Sequence, residues 1–179
     1  MAQLQAFDLE PRKLPAQQRS QATFDAVVES CARLLPELGY AGITTNHIAE
    51  TAGVGVASLY EYFPGKDAVI AQVAERLVQR VMTRLGVAMT AILKAEPQAR
   101  PMRIWMQAIY DTLQKEKKLV AIFVYQIPYT NQLPVIKGLR PLLMQFSQTA
   151  RQDAGARILV SPSQASLLLI NNLVSSTLL

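Results

Sequence analysis

The sequence predicts an all-α fold, a three-helix N-terminal unit followed by longer helices. Three observations carry that expectation. Apolar residues recur at the 3, 4, 7 spacing of one helix face in almost every periodic segment. Two short helical stretches flank Ala52-Gly53-Val54, where a small residue and a glycine let helices cross at close range. The one strand-like run, Val120 to Ile127, has no second such run to pair with, so it reads as a buried helix.

The elements follow in order. Phe24, Val27, Val28, Cys31, Leu34, Leu35 and Leu38 line one face of a first helix. Gly39 is its expected C′ residue. Pro36 removes the backbone bond to the Ala32 carbonyl and is expected to kink or tighten the last turn. A second short helix starts after Thr44 or Thr45, either of which can cap it, and stops near Ala52-Gly53. A third covers about Val56 to Tyr62 and ends before the turn dipeptide Pro64-Gly65. Lys66-Asp67 then opens a long helix whose apolar face runs from Val69 through Val73, Leu77, Val81 and Leu85 to Ile92, ending before Pro97. Pro101 stands near the start of the next, with Met102, Trp105, Met106, Ile109 and Leu113 on one face. Glu116-Lys117-Lys118 reads as its solvated end. Pro134 to Gln152 and Ser163 to Leu179 complete the set. There are no internal repeats.

Composition sets bounds. The chain has 179 residues, 50% of them hydrophobic and 17% charged, enough for a packed core and too apolar for disorder. The single cysteine, Cys31, excludes an intrachain disulfide and fits a reducing, cytoplasmic compartment. On its apolar stripe it reads as a small buried hydrophobe. Met1 to Pro15 has no apolar core of a signal peptide. No uninterrupted apolar stretch has the length of a membrane span.

The net charge of +5 suggests a nucleic-acid partner, but its distribution does not locate one. Residues 1–66 carry Arg12, Lys13, Arg19, Arg33 and Lys66 against Asp8, Glu10, Asp25, Glu29, Glu37, Glu50 and Glu61, a balance of −2. The excess positive charge lies beyond residue 66.

The stretch from Gly42 to Asp67, with Thr44, Ile48-Ala49, Ala52-Gly53-Val54, Leu59-Tyr60, Tyr62-Phe63 and Lys66-Asp67 in that order, resembles the signature of the tetracycline-repressor (TetR) family. The likeness runs from Arg19 to about Ala68. It implies a flexible N-terminal arm over 1–18, a helix-turn-helix DNA-binding domain over 19–66, and a helical ligand-binding and dimerisation domain over 67–179. It further implies a bacterial, cytoplasmic transcriptional repressor, associated with the nucleoid when bound, that grips a palindromic operator as a homodimer and is released by a small apolar effector.

By position, the resemblance makes Thr44, Tyr60, Tyr62 and Lys66 phosphate contacts, with Thr45 beside them. His47 reads equally as a DNA contact or as an exposed surface histidine. Gly55, Val56, Ala57 and Ser58 open the recognition helix, whose first residues approach base edges in the major groove. Here the chain departs from the commoner pattern, which has Ser and then a polar or basic residue at the places of Gly55 and Val56. Val56 and Ala57 offer bases no hydrogen bond, only contact with thymine methyls. Readout then leans on shape and backbone groups. Leu59 and Phe63 read as core. Glu61 is expected to point away from phosphate. Arg12, Lys13 and Arg19 are either a minor-groove arm or a solvated lead-in.

For the second domain the expected ligand-lining residues are Met102, Trp105, Met106, Tyr110, Phe123, Gln126, Tyr129 and Phe146, each with ordinary core as its alternative. The apolar segment Ser163 to Leu179 is the candidate dimer helix. Because the sequence stops inside it, about 10–20 further residues, one ordinary helix, are expected. An enzyme is not expected. There is one histidine, no phosphate-cradling glycine loop and no nucleophile elbow, and neither metal site nor cofactor is predicted. The competing reading is a DNA-binding protein of the same fold, architectural or in division control, that uses no effector.

Overall fold

The computed structural model describes residues 7–94 and 101–138. Those residues hold five α-helices, a 3-10 turn and a further helical stretch over 134–138, with no strand among them. Helix α1 spans Gln18–Gly42, α2 Thr45–Ala52, α3 Val56–Tyr62, α4 Lys66–Lys94 and α5 Pro101–Tyr125, and the 3-10 turn is Thr130–Gln132. Phe146 and the segment Ser163 to Leu179 lie outside the described residues, as does the side chain of Met102.

The local signals act where the sequence puts them. Gly39 takes φ +67° and breaks the helical path of α1 three residues after Pro36. Thr44 caps α2, its hydroxyl accepting the His47 N–H at 3.2 Å. Gly53 closes α2 in the left-handed conformation, φ 67° and ψ 30°. There its N–H returns to the Ala49 and Glu50 carbonyls, which α2 could not otherwise satisfy.

One apolar core runs across residue 66 without interruption. Val27, Val28, Cys31 and Leu35 of α1 meet Ile48 of α2, Leu59 and Phe63 around α3, Val69, Ile70 and Val73 of α4, and Ile122 and Phe123 of α5. Seven residues of α3 are too few for a helix to stand alone in water. Its inward Leu59 is fully buried and anchors it to this shared core.

Glu116-Lys117-Lys118 is not a helix end. Helix α5 passes through it unbroken, and the Glu116 side chain is only 10% exposed. A charge run resembles a terminus in sequence when its partners lie on another helix. Arg80 holds both carboxylate oxygens of Glu116 at 3.2 Å, and Arg84 holds one at 2.9 Å. Paired in this way, a carboxylate can be covered in mid-helix.

Candidate nucleic-acid interface

Helices α2 and α3 are positioned by what they bury. Ile48 and Ala49 of α2, and Leu59 and Tyr62 of α3, face the core. Their opposite faces are left to solvent. Gly55, Val56, Ala57, Tyr60 and Glu61 are exposed on and just before α3, and Ser58 is half-buried. Val56 is 38% exposed and Tyr60 40%. On α2 and its cap, Thr44, Asn46 and His47 are exposed and Thr45 is half-buried.

These groups are joined into one edge. The Thr45 and Tyr60 hydroxyls lie 3.1 Å apart and share a hydrogen bond, linking the start of α2 to the outer face of α3. Thr44 precedes them as the cap. The structure therefore joins Thr45 to Tyr60 across the helix pair and leaves Thr44, His47, Gly55, Val56, Ala57 and Tyr60 exposed, with Ser58 half-buried.

Two predicted phosphate contacts are placed differently. Tyr62 is buried, with its ring edge-on to Phe24 at 6.0 Å. Lys66 is half-buried beneath the end of α1. Its ammonium donates to the carbonyls of Tyr40 at 2.8 Å and Ile43 at 3.2 Å, and sits 4.5 Å from the centre of the Tyr40 ring. It satisfies helix-end carbonyls that α1 leaves without partners. Because Ile43 immediately precedes Thr44, Lys66 also stands directly behind the start of α2.

Lys13, read from the sequence as part of a minor-groove arm or a solvated lead-in, and Asp67, read as opening α4, both meet partners far along the chain. The lead-in to α1 crosses the end of α3, where the Arg12 N–H donates to the Tyr62 carbonyl at 2.7 Å. Lys13 then pairs with Glu61 at 3.1 Å and lies 4.9 Å from the centre of the Tyr62 ring. The one acid on α3 is thus neutralised by the lead-in. Asp67, in the first turn of α4, accepts hydrogen bonds from the Tyr40 hydroxyl at 3.1 Å and the Tyr129 hydroxyl at 2.8 Å. Burial, and then Asp67, push the Tyr40 hydroxyl up to about 12, and the same causes raise Tyr129 further. Partners separated by 27 and 62 residues leave no trace in periodicity.

The expected ligand-lining residues do not converge among the described residues. Phe123 and Tyr129 belong to the core, whereas Met106 is 56% and Tyr110 59% exposed on α5. Trp105 is half-buried and Gln126 exposed. An open hollow lies between α1 and α4, lined by Glu29, Arg76, Gln79, Arg80, Thr83 and Arg84, none of them an expected ligand-lining residue. No group of three or more His, Cys, Asp or Glu able to hold a metal occurs among the described residues. None of their helices is long and apolar enough to cross a membrane.

A short helix pair with one buried and one solvent-facing side, set on a long fourth helix, is the architecture of a helix-turn-helix DNA-binding regulator. Residues 27–73 match the family of bacterial regulatory proteins, tetR family. A transcriptional regulator (TerR/AcrR family) from Aquifex aeolicus VF5 shares the fold, with TM-score 0.52 and 20% identity over 82% of this chain and 77% of that one. A putative transcription regulator from Lactobacillus plantarum aligns with TM-score 0.42 and 23% identity over 73% and 70% of the two chains. Comparison with curated proteins gives no match.

Proposed function

We propose that this chain is a transcriptional repressor that binds a palindromic operator as a homodimer, with α3 entering the major groove. The observation that carries the reading is the two-sidedness of α3. Leu59 and Tyr62 are spent on the core, and Gly55, Val56, Ala57 and Tyr60 face out with no partner demanded by the fold except the Thr45–Tyr60 hydroxyl bond. The exposed hydroxyls of Thr44 and Tyr60 suit phosphate oxygens. Lys66 uses two of its three ammonium hydrogens on carbonyls and keeps one for a nearby phosphate. Val56 and Ala57 suit thymine methyls. One helix this short makes few base contacts, so two-fold symmetry is needed to double them. The work assigned to the chain is binding rather than catalysis, and its setting is the cytoplasm.

Selection of bound duplexes from a random pool tests this. The expected product is an inverted repeat with half-sites about one helical turn apart. Recovery of unenriched sequence refutes it.

Release by a small apolar effector is the family-based extension of this reading. A regulator of the same fold without an effector is favoured by one observation: among the described residues, Phe123 and Tyr129 lie in the core while Tyr110 is exposed on α5. A screen for compounds that release the selected duplex separates the two. Release by an apolar compound supports the first, and none across a broad apolar library supports the second.

A further inference from the structure

The cation surplus of this chain lies beyond residue 66, and part of it is gathered in one place. Arg76, Arg80 and Arg84 follow one another at four-residue steps along one side of α4. With Glu29, Gln79 and Thr83 they line the open hollow between α1 and α4, a space of about 700 Å³. That is room enough for a small organic molecule. Nearby on α5, Lys115, Lys117 and Lys118 stand exposed around the buried Glu116.

Like charges one turn apart on a helix repel one another. The fold offsets this only in part. Arg76 donates to Asp25 of α1, Arg80 donates two N–H groups to Glu116, and Arg84 donates one. Three guanidiniums thus meet two carboxylates. Because Arg80 already holds both oxygens of Glu116, that carboxylate stays paired without Arg84. A guanidinium carries five N–H donors, so most of the donors on all three side chains are left over, with the Gln79 amide beside them. Each arginine is half-buried, which places it by packing rather than leaving it to wander in solvent.

Planar guanidiniums suit phosphate and carboxylate groups, to which they donate two parallel bonds at once. Arg76 and Arg84 are separated by about 12 Å along the helix axis. A molecule with two or more anionic groups matches that row better than a single small anion. The hollow also stands back from the helix-turn-helix. Arg76 and Arg84 lie about 15 Å and about 27 Å along α4 from Lys66. That distance favours a separate small ligand over the DNA assigned to α3.

We propose that this hollow is a binding site for a small polyanion, a molecule bearing two or more phosphate or carboxylate groups, held by Arg76, Arg80 and Arg84. Glu29, the acid on its lining, opposes such a ligand and limits its affinity. The site is distinct from that of the apolar effector considered above, and it stands whether or not the operator reading does.

Isothermal titration of the full chain with tripolyphosphate and with citrate, at fixed ionic strength, is the test. Saturable binding of at least one of them is expected, and the stronger of the two tells phosphate from carboxylate. Arg76→Gln and Arg84→Gln should each weaken it about tenfold, the effect of one charge-assisted contact. Glu29→Gln should tighten it about twofold to fivefold by removing a repulsion. Lys137→Gln, an equal loss of charge elsewhere, should change nothing. The proposal is overturned if neither probe saturates, if both arginine variants bind as wild type does, or if Lys137→Gln weakens binding as much as they do. Should Arg76→Gln fail to fold, Arg84→Gln and Glu29→Gln decide, because Arg80 still holds Glu116 and Glu29 is exposed. A random duplex that displaces the probe, and whose own binding falls equally in the arginine variants, would make this surface a DNA contact and overturn the small-ligand assignment.

Discussion

Lys66 is held by the end of α1. Its ammonium binds two carbonyls at the end of α1 and lies over the Tyr40 ring, yet it stands behind the start of α2. Lys66→Met keeps the apolar stem and removes the charge. It should weaken binding to operator and random DNA alike and flatten the salt dependence by about one unit. A salt dependence equal to wild type confines the ammonium to closing α1. Cys31 lies at the opposite extreme of accessibility. Burial pushes its thiol up to about 12, which makes it an inert core group, as its apolar stripe implied.

At the scale of elements, the turn between α2 and α3 depends on Gly53. Its left-handed conformation favours glycine, and a Cβ there would meet open space. The cost of substitution is therefore backbone strain alone. Gly53→Ala is expected to destabilise by about 1 kcal/mol, and Gly53→Asn by less, because Asn tolerates this region. Denaturant unfolding checks the order, and equal losses for the two would show that something other than backbone conformation governs the turn. The boundaries of α2 and α3 were legible in the sequence because Thr44, Gly53 and Pro64 act locally. The continuity of α5 was not. A charge run in mid-helix looks like an end until Arg80 and Arg84 are seen 32 to 36 residues away.

On the scale of the whole molecule, two titrations report how the helices are held together. Hydrogen bonds from Arg80 and then Arg84 hold the Glu116 carboxyl below its usual range. A carboxyl depressed in the folded state contributes stability above its unfolded pKa, and that contribution is lost as pH falls through the folded value. Wild type should therefore lose stability below about pH 4.5 more steeply than Glu116→Gln, in matched denaturant curves. Parallel curves would mean that the α4–α5 ion pairs add nothing to folding. At the alkaline end the sign reverses. The Tyr40 hydroxyl, raised from 10.0 to about 12, contributes stability below pH 10 that is lost as pH rises towards 12. Ultraviolet titration of the folded protein should show Tyr40 and Tyr129 ionising last. Early ionisation of either would place it outside the Asp67 corner.

The sequence by itself determined the all-α class, the helix-turn-helix and its boundaries, and the outward face of α3. All of these follow from spacing within a few residues and from the backbone preferences of Gly39, Gly53 and the cap at Thr44. Only the tertiary structure decided what Tyr62, Lys66, Glu116 and Tyr129 do. Each is a polar or amphipathic side chain whose role is set by the partner it meets. Those partners lie on other helices, and the folded chain alone brings them within hydrogen-bonding or ring-contact distance.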